Sequence, residues 1–159
     1  EKKKTLKGLK IAWIGDGNNV CNSMIYGAAL SGAKMSIATP KGFEPDKSTV
    51  KVSQNLTDIE LTTDPLKAAE NADVVVTDTY SSIHNNDSKR IKKFIPKYQV
   101  NDKIMDLAKK NAIFLHCLPA KRDQEVTSSV IDGPQSVVWD EAENRLHTQK
   151  ALLCALLHA

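Results

Sequence analysis

Five short apolar runs punctuate the chain, at residues 11–14, 35–38, 59–61, 74–76 and 113–115, each bounded by polar or glycine-containing sequence. Rich in isoleucine and valine and too short for helices, they read as strands buried on both faces. Between them apolar residues recur at the three- and four-residue spacing of a helix. Asp64 stands before Pro65 as a cap before a first-turn proline, Asn101 precedes a periodic Ile104, Leu107 and Ala108, and Asp140 precedes a long amphipathic run to Leu157. Strand alternating with helix predicts an α/β fold: a doubly wound, Rossmann-like parallel sheet of about five strands with helices on both faces. No repeat or linker breaks residues 1–159, so one domain is expected, with the polar stretches 41–55 and 81–88 as mobile loops.

Chemistry in such folds gathers where strands end. Three polar clusters fall there: Gly15-Asp16-Gly17-Asn18-Asn19, Thr77-Asp78-Thr79-Tyr80-Ser81-Ser82 and His116-Cys117-Leu118-Pro119; a fourth, Glu141-Ala142-Glu143-Asn144-Arg145, falls near the start of the last helix. Each has a structural reading beside a functional one. The asparagines and Asp78 are good caps, a lone cysteine is a small hydrophobe, and an arginine on a helix often snorkels. Gly15-x-Gly17 opens a dinucleotide fingerprint, but Val20 holds the third glycine position and Thr39 stands where a ribose-binding acid is expected. Asp16, Asn18 and Asn19 would crowd a pyrophosphate, whereas the Asn19 amide could donate to a carboxylate at the helix start.

Composition narrows the partners. A net charge of +3 with scattered lysines and no interleaved aromatics gives no nucleic-acid surface. The cysteines Cys21, Cys117 and Cys154 are odd in number and show no metal-type pairing, which points to reduced thiols, a cytoplasmic setting and no metal. The polar start and the short apolar run at 151–157 suit neither a signal peptide nor a membrane span. Opening on a charged lead-in without methionine, the sequence is expected to be a piece of a longer protein.

Taken in order with Leu9-Lys10-Ile11-Ala12-Trp13-Ile14 and Ala38-Thr39-Pro40-Lys41-Gly42-Phe43-Glu44-Pro45-Asp46, the clusters resemble the second, amino acid-binding domain of ornithine carbamoyltransferases over essentially the whole chain. The resemblance implies transfer of the carbamoyl group from carbamoyl phosphate to the δ-amine of L-ornithine, giving L-citrulline and phosphate in arginine metabolism. It needs no cofactor. It implies that Asn19 holds the ornithine α-carboxylate, that Asp78 and Ser82 hold the α-amino group, and that the Ile83 backbone adds a contact. Arg145 and the backbone of Cys117 and Leu118 would bind carbamoyl phosphate. Arg145 and the segment from His116 to Leu118 would stabilise the oxyanion, while Cys117 and Asp78 orient substrate. The family's phosphate-binding motif belongs to an amino-terminal domain with no match here, so the chain alone should not catalyse; the whole enzyme should be a homotrimer. Glu141 and Glu143 read as helix-start charges and His147 as structural.

One loop departs from the family. Ile83 stands where methionine is usual and His84 where glycine is usual, which gives up glycine's freedom at positive φ. Two alternatives follow: a carbamoyltransferase for a related amine or acylated amino acid, and a ligand-binding Rossmann-type module without chemistry. A nucleophilic Cys117 has no histidine-asparagine partner recognisable in the sequence.

Overall fold

The computed structural model describes residues 1–81 and 88–158. Its strands are β1 (Lys10–Ile14), β2 (Lys34–Ala38), β3 (Ile59–Thr62), β4 (Val74–Thr77) and β5 (Ile113–His116). The described helices are α1 (Asn19–Ser31), α2 (Lys47–Ser53), α3 (Pro65–Ala69), α4 (Ser88–Ile91), α5 (Asp102–Leu107), α6 (Ser128–Ile131) and α7 (Val138–Leu157). All five expected strands form within a residue or two of their apolar runs. They pair in parallel in the order β3-β2-β1-β4-β5, so the chain reverses its direction of travel across the sheet between β1 and β4. A doubly wound sheet opens its binding crevice at that switch point.

Alternation along β1 shows why the strands read as unbroken apolar runs. Ala12 and Ile14 pack toward Ala68 and Ala69 of α3 and Ile104 of α5, whereas Trp13 packs toward Cys21 and Ile25 of α1 and Val50 of α2. Both faces are buried, and a fully buried side chain of this size contributes about 1.5–3 kcal/mol. The helix starts follow local chemistry: Asn18 caps α1, Asp64 caps α3 before Pro65, and Asn101 caps α5.

Two expectations need correction. The stretch 41–55 is not all loop, because Asp46 accepts from the Thr49 N–H at 2.7 Å and starts α2, whose buried face is the inconspicuous Thr49, Val50 and Ser53. Asp140 does not cap the last helix: α7 begins at Val138 and Asp140 lies in its first turn, paired with Lys2 at 3.1 Å. Of the second expected loop, residues 82–87 lie outside the described residues and α4 starts at Ser88. No described helix is long and apolar enough to cross a membrane.

Candidate functional site

The ends of β1, β4 and β5 meet at the switch point through side chains. Asn18 accepts the Val20 and Cys21 N–H groups with its Oδ1 and donates from Nδ2 to Asp78 Oδ2 at 2.7 Å. Capping and site-building thus fall to the same asparagine. Asp78 Oδ1 accepts the Thr79 N–H at 2.7 Å and the Cys117 thiol at 3.1 Å. Asp78 is buried, its three donors are neutral, and no cationic side chain among the described residues lies within ion-pair distance of it. Asn19, at the first position of α1, is exposed and lines the same cavity of about 360 Å³ with Asp16, Asp78, Ser81 and Arg90.

Arg90 braces that cavity. Its guanidinium pairs with Asp16, its Nε donates to the Tyr80 carbonyl at 2.7 Å, and it lies over the Phe43 ring 4.9 Å from the centroid. Burial raises the Asp16 carboxyl above the ordinary aspartate range, against the pull of Arg90 and with a push from Asp78. The glycine of this turn is explained without a nucleotide. Gly17 donates its N–H to the Phe43 carbonyl at 2.8 Å, and a Cβ there would lie 2.2 Å from the Pro45 nitrogen. The chain's own 43–45 backbone covers the surface that a dinucleotide would use.

Beyond β5 the chain makes a tight turn built on His116. The buried ring accepts the Leu118 N–H at Nδ1, 2.9 Å, which leaves the other nitrogen to carry the proton of the neutral ring. That Nε2 lies 3.4 Å from Oε1 of the fully buried Glu125, which also accepts the Lys121 N–H at 2.5 Å. Leu118 sits at φ 56, a left-handed conformation that a branched side chain rarely holds and that concentrates at functional sites. His116, expected to act in the reaction, therefore lies beneath the turn, with its ring spent on holding the backbone of Cys117 and Leu118. Burial, reinforced by the bond to Asp78, pushes the Cys117 thiol up to about 12. It is a thiol that donates at neutral pH, the opposite of an activated nucleophile.

Cys117 and Leu118 border a second cavity of about 560 Å³, with Trp139, Ala142 and Arg145 of α7 on its far wall and Arg122 at its edge. Arg145 is exposed and meets no acceptor among the described residues, whereas Arg122 is tied to Asp132. Ser82 and Ile83 lie outside the described residues. The atoms that could ligate a metal on Asp78, His116 and Cys117 come within 4.8 Å of one another, but His116 Nδ1 and the thiol would first have to give up the bonds given above. A hollow of about 460 Å³ between Ile11, Met24 and Leu115 on the α1 side of the sheet is lined mainly by apolar side chains and holds none of the expected site residues.

Arg90 and Glu125 are polar residues of this region that the sequence left without a role, and Glu141, expected as a helix-start charge, instead accepts the His116 N–H. Arg90 and Glu141 contact groups remote in sequence, and Glu125, four residues from Lys121, lies in a segment with no helix or strand pattern to mark it. The one available signal is negative: a glutamate just past the His116-Pro119 run belongs to no helix start.

The family model for the Asp/Orn binding domain of aspartate/ornithine carbamoyltransferases matches residues 7–156. Ornithine carbamoyltransferase of Cenarchaeum symbiosum (strain A) is 61% identical over 156 residues, which are 98% of this chain and 52% of that protein. Among solved structures, the Pyrococcus furiosus ornithine carbamoyltransferase aligns with TM-score 0.90 at 47% identity, covering 96% of this chain and 50% of that one. The Thermus thermophilus enzyme aligns with TM-score 0.88 at 43% identity, covering 98% and 50%. The chain spans about half the length of these relatives. With the switch-point crevice, the Asp78–Cys117 contact and the Arg145 wall in the places described, the chain belongs to the aspartate/ornithine carbamoyltransferase family, as its Asp/Orn binding domain.

Proposed function

We propose that this chain is the ornithine-binding half of an enzyme that carbamoylates L-ornithine with carbamoyl phosphate. The observation that carries the reading is Asp78: a buried carboxylate with only neutral described donors, facing a cavity, is an incomplete ion pair that an α-ammonium group completes. Asn19 at the start of α1 then meets the α-carboxylate with its side-chain amide, where the helix dipole favours an anion. Ser82 and the Ile83 backbone complete the amino acid site in this reading.

The ornithine side chain leads from Asp78 past Cys117 toward Arg145. Its neutral δ-nitrogen forms a bond to the carbamoyl carbon, the carbon–oxygen bond to phosphate breaks, and the nitrogen loses a proton as phosphate leaves. Arg145 and the Cys117–Leu118 backbone stabilise the oxyanion that develops meanwhile, a role for preorganised charge and N–H groups. The Cys117 thiol stays protonated and orients the amine together with Asp78; His116 holds the turn. In the whole enzyme, carbamoyl phosphate is shared with an amino-terminal domain, the assembly is a homotrimer and the compartment is cytoplasmic. By itself the 159-residue chain forms no citrulline.

The test is citrulline formation by the protein at the full length of its relatives and by this chain alone, with sedimentation of the former. Citrulline made by the chain at the rate of the whole protein overturns the division of labour. Preference for acetylornithine or putrescine over ornithine in direct competition overturns the substrate and assigns the Ile83-His84 loop to another amine.

A further inference from the structure

Glu141 has a bond that the transfer reaction, as derived above, leaves unexplained. As the outermost strand, β5 has one edge free of the sheet ladder. Along that edge the Phe114 N–H donates to the Gln135 carbonyl at 2.8 Å and the Val137 N–H to the Phe114 carbonyl at 3.1 Å. Donors on one edge of a strand recur every second residue, so the next is the N–H of His116. At residue 138 the neighbouring chain turns into α7 and offers no further strand carbonyl. Glu141 Oε2 takes the His116 N–H instead, at 2.9 Å.

We propose that Glu141 is a positioning residue for the transfer reaction: it pins α7 to the last residue of β5, and thereby holds Arg145 across the cavity from Cys117 and Leu118. Arg145 lies one helical turn beyond Glu141, about 6 Å along the axis, and Cys117 directly follows His116. One bond therefore ties together the elements that carry both walls. A first-turn acid favoured by the helix dipole is too bland an account, because Asp140 already meets that preference while paired with Lys2. Glu141 is half-buried, and burial raises its carboxyl above the ordinary glutamate range against the pull of the His116 N–H. A carboxylate kept at that cost for one backbone N–H is doing positional work.

This inference rests on the proposed role of Arg145, and the experiment separates the two. In the full-length enzyme, Glu141→Ala should lower kcat about 30-fold, with the KM for ornithine changed less than about threefold, since small misplacements of a catalytic group cost up to about a hundredfold. Glu141→Gln keeps an acceptor and should restore kcat to within about threefold of wild type. Added to Arg145→Ala, the Glu141→Ala change should have almost no further effect. Independently of turnover, the His116 amide proton should exchange slowly in wild type and Glu141→Gln, and at least tenfold faster in Glu141→Ala while Phe114 stays protected. Unchanged turnover in Arg145→Ala overturns the reading of the site and this inference with it. An impaired Arg145→Ala beside an unimpaired Glu141→Ala, a Gln variant as poor as Ala, or a rapidly exchanging His116 amide in wild type overturns the inference alone.

Discussion

Asp73 and Asp78 bracket β4 and both are buried, yet among the described residues only the first is paired with a cation. At the amino end of the sheet, Asp73 accepts the Lys10 N–H at 2.9 Å and pairs with Lys109 at 2.8 Å. Burial pushes its carboxyl upward, but those donors outweigh it and hold the group below the ordinary aspartate range. At the carboxyl end, Asp78 is met by an amide, a thiol and a backbone N–H. One end of the strand completes its electrostatics internally; the other is the end that the proposed function assigns to a ligand. Asp16, beside Asp78, has its own guanidinium from Arg90, so of the two aspartates lining this cavity only Asp78 is met by neutral donors alone among the described residues.

The contrast breaks most visibly by neutralising each aspartate in turn. In the full-length enzyme, Asp78→Asn should lower citrulline formation about a thousandfold while the melting temperature shifts by only a few degrees, because the change removes a substrate contact and no internal ion pair. Arg145→Ala carries the test to the second cavity. Loss of one preorganised oxyanion partner is worth about 3–4 kcal/mol, or about 10²–10³ in turnover, with the fold intact by circular dichroism.

Asp73→Asn should do the reverse, costing about 1–3 kcal/mol in urea unfolding and leaving turnover within about twofold. Its pH dependence has a definite sign. The folded-state pKa is depressed, so the stabilisation is present above the ordinary aspartate value of 3.8 and is lost as pH falls below it; Asn should flatten that acid limb. The smallest effect concerns the thiol. With Cys154 replaced by serine, iodoacetamide should modify Cys117 slowly at pH 8, and Asp78→Asn should speed modification about tenfold by removing the carboxylate that opposes the thiolate.

The sheet was legible because β-branched runs such as Val74-Val75-Val76 are buried on both faces and cannot be mistaken for amphipathic helix. Helix α2 was not, because its inward face is threonine, valine and serine. The candidate residues, nominated at strand ends and on the last helix, were legible as positions: Asn19, Asp78, Cys117, Leu118 and Arg145 all line the two cavities. Their partners were not. That Asn18 reaches Asp78, that Glu125 backs His116 and that Arg90 spans from Asp16 to Tyr80 depends on how distant segments pack, and no spacing encodes it.

The most direct test of the account follows the Asn19 and Thr79 backbone amides by NMR as this chain is titrated with L-ornithine and, separately, with 5-aminopentanoate, which lacks the α-amino group. The account predicts saturable shifts at both amides with ornithine, and much weaker binding both of 5-aminopentanoate and of ornithine to Asp78→Asn. Equal binding of the two ligands, or ornithine binding undiminished in Asp78→Asn, would contradict the claim that Asp78 awaits an α-ammonium group.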